Sequence, residues 1–111
     1  MSGRQAPIYT DAFALCDWLL ERFGANAEVL PVRLCRSGLD LLEAVTLALN
    51  GRSREENIDL ADECLIALRT QLRLAAARGY LHQSQMLYAL QCADTIGRQL
   101  GGWKRALEGQ M

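Results

Sequence analysis

The side chains that could take part in bond chemistry are few and scattered along the chain. His82 is the only histidine among 111 residues, and it stands where a predicted helix needs a capping residue. The densest group of carboxylates, within residues 55–63, begins another predicted helix, where negative charge stabilises the positive end of the helix dipole. Neither group is accompanied by the nucleophile, base or metal ligand that an active site requires. The sequence therefore predicts no catalytic residue, no cofactor and a protein that is not an enzyme.

The cysteines do not have the spacing of a metal site. Each predicted helix contains one of them, and no two form the close pair that is typical of structural zinc sites. We expect them to be small buried core residues rather than ligands, so no metal is predicted. They are Cys16, Cys35, Cys64 and Cys92.

The beginning of the chain and its hydropathy indicate the compartment. No apolar run approaches the roughly 20 residues that cross a bilayer, and the first seven residues lack the apolar stretch of a secretory signal. We therefore expect a cytoplasmic protein with reduced thiols and no membrane association.

Positive charge is concentrated in the second half of the chain. Residues 1–63 contain six Lys or Arg and eleven Asp or Glu, a formal charge of −5, whereas residues 64–111 contain six and two, a formal +4. Such asymmetry is typical of a surface for a polyanion, but an acidic pair of helices beside a basic pair gives the same pattern. A sequence pI near 5.8 argues against indiscriminate binding to nucleic acid. The candidate residues for contact with nucleic acid or a partner are Arg69, Arg73, Arg98, Lys104 and Arg105.

Residues that typically begin and end helices predict an all-α fold. Helices are expected over 8–23, 31–50, 53–78 and from about 83 to 107, with Ser53 and Glu56 forming a capping box. Because the connections are short, the predicted fold is an antiparallel up-down-up-down four-helix bundle. It forms a single domain over residues 8–107, and residues 1–7 and 108–111 are expected to be flexible ends.

Helical spacing predicts which residues form the core. On the third helix one stripe contains Ile58, Ala61, Leu65, Leu68, Leu72 and Ala75, and on the fourth it contains Met86, Leu90, Ala93, Gly97, Leu100 and Leu107. The second helix is apolar round more than half of its circumference. We assign Leu39, Leu42 and Thr46 to its core side and treat the opposite apolar residues, Val45 and Ala48 among them, as additional surface.

Apolar surface in excess of one bundle core usually marks a subunit interface. The sequence therefore predicts a homo-oligomer. The candidate interface residues are Trp18, Leu34, Leu41, Leu74, Leu87 and Tyr88.

Two features of the basic half have alternative interpretations. Arg69 and Arg73 flank the core stripe of the third helix one turn apart, where an arginine either pairs with a carboxylate such as Asp62 or contacts a phosphate. Trp103, beside Lys104 and Arg105, either packs on the core or stacks on a base.

Two segments of the chain carry a resemblance to a known family. These are Leu68-Arg69-x-x-Leu72-Arg73-Leu74 and, after the short turn, Ile96-Gly97-Arg98-x-Leu100-Gly101-Gly102-Trp103. They resemble a bacterial four-helix-bundle family that includes the accessory variability determinant proteins of diversity-generating retroelements. The same family includes proteins encoded in intervening sequences of bacterial large-subunit ribosomal RNA genes.

The resemblance implies a cyclic homopentamer with a central channel. In the retroelement branch it implies a non-catalytic accessory protein that binds a reverse transcriptase and its template RNA. On this expectation, the five basic residues named above are the contacts to RNA, DNA or the enzyme. The alternative is a structural or adaptor oligomer that binds another protein and has no role with nucleic acid.

Overall fold

The computed structural model describes residues 6–109, and within this range the chain forms four α-helices and no β-strand. They are α1 (Pro7–Phe23), α2 (Val29–Leu49), α3 (Arg54–Ala77) and α4 (Gln83–Glu108). Each helix packs against its neighbour in sequence, and α4 also contacts α1. The four helices surround one apolar core, in a body of 46 × 23 × 21 Å. The all-α prediction is confirmed.

The ends of the helices differ in detail from the predicted ends. Pro7 is the first residue of α1 and Glu108 is the last of α4, so the helices include one residue from each of the predicted flexible ends. The remainder of the predicted flexible ends, residues 1–5 and 110–111, lies outside the described residues. None of the described helices is both long enough and apolar enough to cross a membrane.

Helix α3 buries the predicted stripe. The buried residues of α3 are the six that the spacing predicted, and Leu65, Leu68 and Leu72 have no exposed surface. This agreement has a physical basis, because the remaining positions of α3 are mostly charged or polar and only one side can face the core. On α4 the prediction is confirmed for Ala93 and Leu100. The other predicted positions of α4 are only partly buried, and Ala89 and Ile96 are buried in their place.

The face of α2 that enters the core is rotated from the predicted one, although Leu42 still packs against the core and is partly buried. Leu34 and Leu41 have no exposed surface, so their assignment to an oligomer interface is wrong. Leu39, which was predicted to lie on the core side, is 39% exposed. Helix α2 is apolar on both sides, so hydrophobic spacing alone does not indicate which side packs inward.

Two inter-helix hydrogen bonds and one close approach fix α2 and α4 against their neighbours. The Ser37 hydroxyl donates to Oε1 of Gln71 at 2.8 Å, and Nε2 of Gln99 donates to a carboxylate oxygen of Asp11 at 2.6 Å. At Gly38, a β-carbon would lie 2.9 Å from Cδ1 of Leu19, so glycine permits the approach of α1 to α2.

The predicted capping box of α3 is absent. Ser53 is the N-cap, but it has a left-handed backbone with φ of 43°, and its side chain makes no capping hydrogen bond. His82 is the N-cap residue of α4, as its position predicted, and its backbone N–H donates to Oε1 of Gln85 at 2.8 Å.

The orientation of α2 can be tested with two leucines of that helix. Leu41→Ala should lower the free energy of unfolding by about 2–5 kcal/mol, because a fully buried leucine leaves a cavity. Leu39→Ala, the matched control on the exposed face, should lower it by roughly 1 kcal/mol or less. Urea unfolding of dilute protein, followed by circular dichroism, measures both. Equal losses, or a larger loss for Leu39→Ala, would contradict this orientation.

Candidate nucleic-acid interface

Three of the five predicted basic residues line one groove between α3 and α4. We call this the arginine groove; its volume is about 460 Å³. The residues that line it are Asp62, Arg69, Asp94, Gly97, Arg98, Gly101 and Arg105. The two α3 residues are seven positions apart, and the α4 residues recur every three or four positions apart from the adjacent Gly97 and Arg98, so each set lies on one side of its helix. The groove therefore follows from the pairing of two helix faces, not from a loop motif.

Glycine at position 97 gives Arg69 room to cross from α3 to α4. A β-carbon on Gly97 would lie 2.9 Å from Nη2 of Arg69, which is closer than van der Waals contact allows. A β-carbon on Gly101 would lie 3.5 Å from Nη1 of Arg105, which is ordinary van der Waals contact. Gly97 thus provides space that the Arg69 guanidinium occupies, and the Arg105 guanidinium lies near Gly101.

Arg69 forms an ion pair across the groove. Its Nε donates to Oδ1 of Asp94 at 3.3 Å, and the two side chains are 27% and 56% exposed. Ion pairing was one of the two interpretations of Arg69, but the partner is Asp94 of α4 and not Asp62 of its own helix. Exposed pairs of this kind contribute about 0–1 kcal/mol. The pair therefore adds little to stability, and an incoming anion can compete with Asp94 for the guanidinium.

Arg98 and Arg105 complete the positive side of the groove. Arg98 donates from Nη2 to the Thr95 hydroxyl at 3.3 Å. Among the described residues, neither Arg98 nor Arg105 has a carboxylate within ion-pairing distance. With three arginines and two aspartates, the groove has an excess of one positive charge. Guanidinium groups in this arrangement are suited to bidentate contact with phosphate oxygens.

The other two predicted basic residues do not line the arginine groove. Lys104 donates to Asp59 at 2.9 Å beside a separate, smaller cleft that also contains Glu55 and Glu108, and this ion pair raises the pKa of Lys104. Arg73 is exposed on α3 outside the groove. Trp103 packs against the core, as one of its two interpretations predicted, with the Arg54 guanidinium 6.0 Å from its ring.

The predicted interface residues that are accessible lie on two sides of the molecule. Leu74, Leu87 and Tyr88 are each about half exposed. Trp18 is partly buried, with its ring 5.7 Å from that of Tyr88 and the Arg22 guanidinium 4.8 Å from its centre. An aromatic pair bridges α1 and α4 at this point.

Several other apolar residues are exposed that were not predicted to be interface residues. They are Phe13, Leu20, Val29, Val32, Leu39, Leu47, Leu60 and Ile66. The excess of apolar residues on α2 was a signal for some of them, although it was assigned to the wrong face.

A cleft of about 660 Å³ between α2 and α3 was also not predicted from the sequence. Val29, Leu74, Arg33 and Arg78 line it. At its edge the Tyr80 hydroxyl donates to the Glu28 carboxylate, and this hydrogen bond raises the pKa of Tyr80.

The described residues contain no group of histidine, cysteine or acidic side chains that could hold a metal ion. All four cysteines are free, and Cys16 is buried between α1 and α2 while the others are partly buried. Burial raises the pKa of the Cys16 thiol, and the nearby Cys35 and the acidic Asp17 and Glu43 raise it further.

Comparisons of the chain with protein-family models, with curated proteins and with solved structures gave no match.

The raised pKa of Cys16 predicts how stability depends on pH. The native state holds the thiol proton more tightly than the unfolded state does, so stability should fall as pH rises through the ordinary thiol range, from about 8 to 10. Cys16→Ala should reduce this alkaline loss. Urea unfolding at neutral pH and at about pH 9.5 measures the difference. An identical alkaline loss in Cys16→Ala would show that this thiol does not contribute.

Proposed function

We propose that this protein is a non-catalytic, self-associating four-helix bundle that acts as an accessory to a reverse transcriptase and binds structured RNA through the arginine groove. The observation that carries the proposal is that Arg69, Arg98 and Arg105 line one groove, in which Gly97 makes room for the Arg69 guanidinium. A phosphate backbone is the ligand whose charge and geometry suit such a groove. The resemblance to the accessory variability determinant proteins points to the same partner.

Charge in the groove sets the expected strength of binding. Arg69 must exchange Asp94 for a phosphate, and Asp62 adds a second negative charge at the edge. Binding is therefore expected to be modest and steeply dependent on salt, since it rests on a few phosphate contacts. Such a site suits a partner that is already held nearby by a protein–protein contact.

Self-association is supported by the exposed apolar side chains. Val29 is 80% exposed and Ile66 is 58% exposed, and further apolar residues are exposed on all four helices. A monomer that leaves this much apolar surface in water gains from covering it. Short connections favour antiparallel neighbours in the bundle. The resemblance implies a cyclic assembly of five copies in the cytoplasm.

An adaptor oligomer without a role with nucleic acid is the second candidate. It is favoured by the intrachain ion pairs Arg69–Asp94 and Lys104–Asp59, which neutralise two of the five candidate cations. The net charge of −1 also repels a polyanion at long range. On this alternative, the exposed apolar residues bind a second protein and the arginine groove contributes only to solubility.

Binding to a structured RNA across a salt series distinguishes the two candidates. Arg98→Ala together with Arg105→Ala should weaken binding and lower the slope of log affinity against log salt by about 1.5, since each lost phosphate contact removes roughly 0.7–0.9. Asp94→Asn should strengthen binding, because it frees Arg69 and removes a negative charge from the groove.

The matched control is Arg33→Ala together with Arg52→Ala, which removes the same charge from exposed positions outside the arginine groove. Its salt slope should stay close to that of the unaltered protein. Equal weakening by both double variants would refute the groove as the site. No binding by the unaltered protein even at low salt would support the adaptor instead.

A further inference from the structure

The outward face of α2 alternates apolar and charged side chains in a symmetrical order. Val32, Leu39 and Leu47 are 43%, 39% and 46% exposed. Arg36 and Glu43 are exposed between them, three or four residues from their apolar neighbours. This spacing places all five on one side of the helix. We call these five residues the α2 ridge.

The α2 ridge has a pseudo-palindromic order about the midpoint between Leu39 and Asp40. Arg36 and Glu43 are equally far from this midpoint, and so are Val32 and Leu47. If the helix is laid antiparallel on a copy of itself about that midpoint, each Arg36 meets a Glu43 and each Val32 meets a Leu47. This one arrangement therefore forms two ion pairs between Arg36 and Glu43 and two apolar contacts between Val32 and Leu47.

The charged side chains of the α2 ridge form no ion pair among the residues that the structure describes. Neither Arg36 nor Glu43 has an ion pair within residues 6–109. They are therefore available to a second molecule.

The apolar side of the ridge continues onto α1. A groove of about 280 Å³ runs beside the ridge, and Leu20, Val32 and Leu39 are among the residues that line it. Leu20 is itself 37% exposed. Two copies of the ridge packed together would bring the two Leu39 side chains close to each other at the edge of this groove. Such packing would remove part of this apolar surface from water.

We infer that the α2 ridge is a two-fold interface, in which α2 of one chain packs antiparallel against α2 of a second copy, with Arg36 of each chain paired to Glu43 of the other. A second copy is the occupant because the ridge is complementary to itself, a property that a different partner would not require. The inference rests on the proposed self-association and names its surface. Asp40 lies beside the midpoint, so the Asp40 carboxylates of the two chains approach each other. Their repulsion weakens the association at the edge of the interface.

A contact of this kind closes on two copies. A ring of five would need a different, head-to-tail contact elsewhere on the surface, and the ridge would then join two such rings. The inference therefore predicts assemblies with an even number of chains.

Charge reversal tests the pairing directly. Arg36→Glu places Glu opposite Glu at both symmetry-related contacts, and Glu43→Arg places Arg opposite Arg. Each variant alone should associate at least about tenfold more weakly than the unaltered protein. An equimolar mixture should recover association to within about threefold, since both contacts of the mixed pair then join opposite charges. Sedimentation velocity of each variant and of the mixture measures this, and circular dichroism confirms that each is folded.

The outcomes separate this inference from the proposed function. Weak single variants with recovery in the mixture would support the α2 ridge. If the unaltered protein associates but the single variants associate equally well, or if the mixture is no stronger than its components, the ridge is wrong while self-association stands. If the unaltered protein is monomeric at every concentration, both the ridge and the proposed self-association are wrong.

Discussion

One helix has more apolar surface than a single bundle core can bury, and the proposed self-association depends on that constraint. Helix α2 places Leu34, Leu41 and Val45 inside the core without any exposed area. The same helix still presents Val32, Leu39 and Leu47 to solvent. A helix at the edge of a bundle can direct only part of its circumference inward. Burial of one face therefore leaves the other uncovered, which makes association with another molecule favourable.

The groove between α3 and α4 is governed by charge rather than by apolar area. Between α3 and α4, Gly97 lets Arg69 reach Asp94, and the guanidinium is held near the helix surface instead of extending into water. Two further arginines line the same groove. Because the ion pair is partly exposed, it positions the arginine while leaving it able to exchange partners. The molecule thus combines exposed apolar side chains on all four helices with an arginine-lined groove between α3 and α4.

Sequence periodicity was sufficient where only one face of a helix is apolar. All six core residues of α3 were predicted because charged and polar side chains occupy most of its other positions. The same reasoning failed for α2, because Leu39 and Leu41 lie on two apolar faces and the spacing does not indicate which of them packs against the core. The choice is made by neighbouring helices, through contacts such as Ser37 with Gln71. The prediction of a capping box at Ser53 was wrong for a different reason. Ser53 has a left-handed backbone, and its side chain does not form the predicted hydrogen bond.

The groove could be predicted only in part. The basic half of the chain identified Arg69, Arg98 and Arg105, but the ion pair between Arg69 and Asp94 joins residues on two helices and depends on how those helices are rotated. Spacing along one helix contains no information on that rotation. For the same reason, Lys104 and Arg105 are adjacent in sequence but lie in different clefts.

The central claim is that this chain works by association, and sedimentation velocity of the unaltered protein over a dilution series tests it most directly. Self-association predicts a species heavier than the 12.3 kDa chain, which dissociates as the protein is diluted. It also predicts that the species persists in high salt, because apolar contacts provide most of the interface. A single 12.3 kDa species at every concentration would contradict the claim.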